Sequence, residues 1–156
     1  MDATMQAFLE VSEIQKHLIN HYGKASWLRD FRTMGFYVPR QNGATAWMLK
    51  QILQEPDSLL FSKYRDHLIQ NFDGAGVCDV MKPKTSMLSA EVQARMHEPF
   101  ELSQWIKHQN YRIKPLKLLV IEQSCVVFNN IRINKFYDWL EQSPGVTSET
   151  LILRIN

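Results

Sequence analysis

The chain has 156 residues, 45% of them hydrophobic and 22% charged, and 18 Lys and Arg against 16 Asp and Glu leave a formal charge of +2. That composition excludes a disordered tail, and so small a net charge means that any functional charge lies in its distribution. The longest apolar stretch, Leu118 to Ile121, is far too short to span a bilayer, so a membrane protein is excluded too.

The first residues, with Asp2 and Glu10, lack the basic-then-apolar pattern of a secretory signal. Cys78 and Cys125 stand far apart without a Cys-x-x-Cys partner, which points to a reduced, cytoplasmic setting and leaves open whether they are ever bridged. Phe8, Val11, Ile14 and Leu18 recur at helical spacing and predict a helix over 4–22, stopped by Gly23. Trp27, Phe31 and Met34 predict a second helix over 24–34, ended by Gly35. An extended piece at 36–39 follows, with Pro39 biasing Val38 away from helix. Asn42-Gly43 is a turn signal before a helix over 44–54, and Pro56 ends that helix. Asp57 or Ser58 is then expected to cap a helix running to Phe72.

Residues 73–84 carry two glycines and a proline with little periodicity, and read as a connection. Helices are expected over 86–97 and 100–110. LKLLVIEQ and CVVFNNIRI read as the strands of a hairpin, KFYDWLEQ (135–142) as a short helix, and TLILRI as a final strand.

The two halves repeat a pattern. Glu13-Ile14-Gln15 matches Glu91-Val92-Gln93 and, at the same offset, Leu18 matches Met96, Tyr22 matches Phe100, and Trp27-Leu28-Arg29 matches Trp105-Ile106-Lys107. This order of helix, turn, second helix, extended segment and short third helix resembles winged helix-turn-helix proteins of the excisionase and MerR type, over about 86–142 and more loosely 11–54. The resemblance implies a mainly α chain with a small β component (α+β). It would hold tandem helix-turn-helix-like units: a first over 1–72, a connection over 73–85, and a second, winged, over 86–156. It departs from the family at His97-Glu98-Pro99-Phe100, which is not a standard turn of the motif.

Charge offers a separate criterion, because a DNA-reading face must be neutral or positive. No acid occurs from Leu102 to Ile121, where Lys107, Arg112, Lys114, Lys117 and His108 lie, nor from Phe31 to Gln54, which holds Arg32, Arg40 and Lys50. In the family resembled, Ser103, Gln104, Lys107 and Asn110 would face the major groove, with Arg112, Lys114 and Lys117 near phosphates and His108 also among the DNA-binding residues. Arg29, Arg32 and Arg40 would serve the first unit. The expected function is a non-enzymatic DNA-binding regulator or accessory protein of the transcription, recombination or mobile-element kind. The alternative is a protein-interaction adaptor, either self-associating or adding its strands to a partner's sheet.

Other motifs carry less. The four Trp side chains are expected in the core rather than as stacking platforms. His17 and His21 lack the Glu of His-Glu-x-x-His, and FDGAG lacks the Gly-Lys-Ser/Thr of a phosphate loop, so neither a metal nor a cofactor is expected. Cys78 has no group to orient an imidazole partner, and no spacing proposes an acid–base pair.

Overall fold

The computed structural model describes residues 1–38, 43–70, 88–108, 115–129 and 131–156. The expected connection at 73–85 and the candidate residues Arg40, Asn110, Arg112 and Lys114 lie outside the described residues.

Helix α1 (Asp2–Ile14) passes through a 3-10 turn at Gln15–Leu18 into α2 (Ile19–Phe31). Gly23, the expected stop, breaks the helical path with φ 70 and ψ 160, in the half of φ space that glycine adopts freely. Strand β1 (Thr33–Phe36), helix α3 (Ala44–Gln54), strand β2 (Ser58–Phe61) and helix α4 (Arg65–Gln70) follow. Then come α5 (Ala90–Gln93), β3 (Met96–His97), α6 (Pro99–His108) and β4 (Leu116–Glu122). Helices α7 (Ser124–Phe128) and α8 (Ile133–Gln142) lead into β5 (Val146–Ile155).

The five strands form one sheet in the order β1-β5-β4-β2-β3, and every pairing is parallel. Parallel strands are joined by crossovers that lay helices on the faces, so both faces are buried and the central strands read as continuous apolar runs. Side chains alternate between two cores. Leu59, Phe61, Leu119, Ile121 and Ile152 pack beneath α2, α6, α7 and α8. Leu60, Leu118, Val120, Leu151 and Leu153 pack against α1, α3, α4 and α5.

This α/β architecture corrects the expectation of a mainly helical chain with a winged second unit. LKLLVIEQ does supply β4, but CVVFNNIRI does not return beside it. Gln123, at φ 50 and ψ 50, turns the chain into α7, so the hairpin that would make a wing is absent. Residues 57–61 do not open a helix either. The Asp57 carbonyl accepts from the backbone N–H of Lys117 (2.8 Å) and Leu118 (3.2 Å), tying the start of β2 to β4. The expected helix over 86–97 shrinks to α5, because the Arg95 carbonyl accepts from Leu60 N and draws the next residues into β3. The paired Trp pattern is not a structural repeat: Trp27 follows two helical segments, whereas Trp105 follows a strand. The adaptor alternative expected Leu118–Ile121 and Thr150–Ile155 to offer strand edges, whereas they lie in β4 and β5, interior to the sheet.

Leu119 lies at the centre of β4, inaccessible to solvent, whereas Tyr37 just past β1 is 85% exposed. Leu119→Ala is therefore expected to cost about 2–5 kcal/mol through the cavity it leaves, and Tyr37→Ala within about 0.5 kcal/mol of nothing. Denaturant midpoints of the two variants check this, and comparable losses would contradict the sheet placement.

Candidate functional site at the carboxyl end of the sheet

In a parallel sheet covered on both faces, ligands bind outside the carboxyl ends of the strands, where neighbouring connections depart to opposite faces. Here that holds between the interior strands β2 and β4, and again between β2 and the edge strand β3. The chain leaves β2 for α4 on one face and leaves β4 for α7 on the other.

The register Phe61↔Ile121 sets the next residues, Ser62 and Glu122, abreast at this crevice. The Ser62 hydroxyl donates to Glu122 Oε2 and accepts from Tyr64 N at 3.0 Å, while Ser62 N donates to the His97 carbonyl at 2.9 Å. The hydroxyl is thereby oriented at both ends. Ser62 is fully buried and Glu122 is 8% exposed. Burial pushes the Glu122 carboxyl above its ordinary value of 4.5, against the smaller opposite effect of the Ser62 hydrogen bond. Glu122 Oε1 makes no hydrogen bond to the described residues.

The two loops meet across the crevice. Gln123 Nε2 donates to the Tyr64 hydroxyl at 3.3 Å, and Gln123 is the one non-glycine residue with positive φ among the described residues. Such a conformation costs energy and is characteristic of functional turns. Behind it, Asn156 Oδ1 accepts from Ser124 Oγ (2.8 Å) and Cys125 N (3.0 Å), fastening the end of β5 to the start of α7. The rim is apolar: exposed Tyr37, Tyr64, Phe100 and Val126 follow β1, β2, β3 and β4 in turn.

His97, at the end of β3, points to the other face. Its ring packs on Trp105 (4.8 Å between centroids) and Phe61 (5.5 Å), Nδ1 lies 3.5 Å from the Glu101 carboxylate, and Nε2 is buried without a partner. Burial first, with the Arg65 charge adding to it, lowers its pKa against the pull of Glu101. Among the described residues no group of His, Cys, Asp and Glu is placed to hold a metal ion. No described helix is long and apolar enough to cross a membrane.

The residues singled out for DNA contact are dispersed. Arg32 is 8% exposed and spends its guanidinium on Ser12 Oγ and the Glu149 carbonyl. Arg29 pairs with Asp30 at 2.8 Å, and Lys117 with Asp57 at 3.7 Å. Ser103 is half-buried, and Gln104 Oε1 lies 2.8 Å from His108 Nε2. Lys107 lines a cleft of about 570 Å³ between α6 and α8, together with Arg132, Lys135, Asp138 and Glu141. Because α6 runs back from the carboxyl end of β3, Lys107, His108 and Lys117 all lie toward the amino end of the sheet. The crevice itself was missed. Its trace in the sequence is that two apolar runs, LLF and LLVI, each end in one polar residue, Ser62 and Glu122.

The raised Glu122 pKa carries a sign for stability. In the window above 4.5 the folded protein holds a proton that the unfolded chain releases, so stability falls as pH rises through it. Glu122→Gln removes that loss, and its unfolding free energy should improve relative to wild type as the pH rises above 4.5. A constant difference between the two proteins would show the carboxyl to be unperturbed. Neither protein-family models, nor curated proteins, nor solved structures contain a match to this chain.

Proposed function

We propose that this chain is a small-molecule-binding α/β domain whose site is the crevice between the carboxyl ends of β2 and β4. One observation carries the reading: a buried carboxyl, Glu122, stands where the connections diverge, with one oxygen held by Ser62 and the other without a hydrogen bond among the described residues. A buried acid with a single hydroxyl as its partner destabilises the fold, and a perturbed acid in a cleft is characteristic of a binding or catalytic position. The exposed Tyr64 and the Tyr64–Gln123 bridge supply an apolar wall and a closable mouth. Thermal unfolding against a panel of amines, sugars, nucleotides and carboxylic acids tests this. At least one class should raise the midpoint of the wild type and fail to do so in Glu122→Gln. A panel without effect, or with equal effect on both proteins, refutes it.

A second reading, contact with duplex DNA in a regulatory role, has one observation in its favour. Lys107, Arg132 and Lys135 line a single cleft that Asp138 and Glu141 share, and among the described residues no ion pair engages the three cations. The recognition helix and wing no longer support it; the charge does. If these three side chains meet phosphates, log affinity should fall against log salt with a slope of about −3, from roughly −0.9 per contact. Lys107→Glu with Lys135→Glu should abolish binding. A flat salt response in a duplex titration would exclude this reading.

A further inference from the structure

We infer that the crevice takes an organic cation, a primary amine or guanidine on an apolar body, with its N–H groups on Glu122 Oε1 and its body against Tyr64. The inference rests on the binding site proposed above and names the ligand class. Its ground is a deficit. An ionised carboxylate offers about four acceptor positions, and Glu122 receives one hydrogen bond, from Ser62. Two shielded cations here take more partners within the chain, all of them neutral, although the Nε of each stays unbonded. Arg32 is bonded to Ser12 and Glu149, while Arg95 Nη1 donates to the Ile52 carbonyl (2.8 Å), the Glu55 carbonyl (2.7 Å) and Ser58 Oγ (2.7 Å).

No described cation pairs with Glu122. Around the crevice, Arg65 is engaged by Asp66 (2.7 Å) and the Met96 carbonyl (2.7 Å), and Lys63 lies over the Tyr64 ring at 6.0 Å. The Tyr64 phenol accepts from Gln123 instead. Buried charges are paired, and a ligand ammonium or guanidinium supplies both the missing charge and the missing donors. Tyr64 fits the same class. Its hydroxyl is anchored by Gln123 and its ring already attracts the Lys63 ammonium, the interaction an alkylammonium ligand would make. A neutral polyol would donate to the free acceptor positions and leave the charge unpaired.

The test is a calorimetric and NMR titration of the full chain with n-butylamine, n-butylguanidine, n-butanol and ribose at several pH values. The two cations should bind and the two neutral probes should not. Cation affinity should fall about tenfold per pH unit once the pH is below the Glu122 pKa, because the proton and the ligand compete for one carboxylate. Glu122→Gln should weaken the cations at least tenfold and remove the pH dependence. Tyr64→Leu should weaken them about three- to fivefold, while Tyr64→Phe keeps the ring and the affinity. Butanol or ribose bound as tightly as butylamine overturns the cation class while leaving the crevice as a binding site. Cation binding unchanged in Glu122→Gln, or no binding of any probe in this titration, overturns the cation class as well; failure of the wider ligand panel removes the site itself.

Discussion

The pairing of β2 with β4 is the constraint on which the rest of the molecule depends. Both strands are interior, and both faces of the sheet must be covered, so every residue from Ser58 to Phe61 is buried and all but Lys117 of Leu116–Glu122. Alternation along the two strands then divides the apolar side chains into two cores, each roofed by its own set of helices. A parallel ladder demands crossovers of a dozen residues or more, which is why helices separate successive strands. Burying apolar area on two faces at once is how short strands hold a sheet together.

The crevice follows from the same pairing. Parallel strands bring all their carboxyl ends to one edge, and the register that sets Leu60 beside Val120 also sets Ser62 beside Glu122. The connections then depart to opposite faces, which prevents either loop from filling the space above the pair. Tyr64 and Gln123 close it by a single hydrogen bond between exposed side chains, an interaction weak enough to open at little cost. The amino end of the sheet is different in kind. There the Asp57 and Gly145 carbonyls accept from the backbone of β4, Lys117 pairs with Asp57, and Arg95 ties the end of α3 to β2.

Acidic and basic groups along the chain acquire their roles from this geometry rather than from their neighbours in sequence. Arg32 lies in an acid-free tract and is turned inward, and Glu122, the border of another such tract, is buried at the crevice with Ser62 as its partner. His97 ends β3 two strands from Glu122, but the alternation of the sheet puts it on the opposite face, against Phe61 and Trp105. The two perturbed groups therefore belong to separate environments. Their pKa values move in opposite directions for one shared reason, burial, which penalises the charged form of each.

What could be read from residues in order was the local part. The helical period marked α3, most of α6 and α8; Gly23 marked a break in the first helix; the apolar runs marked β4 and the end of β5. Each of these depends on side chains within a turn or two of one another, so the information is present in a short window. The short strands β1, β2 and β3 were not legible, because a buried parallel strand has no alternation and four apolar residues look the same in a helix. Nor was the direction of β4 against its partners, which decided between a hairpin and a parallel sheet. Glu122 and Ser62 are 60 positions apart. Only the register of two strands makes them neighbours, and register is a property of the packed sheet, in which non-local pairing and the burial of both faces are settled together.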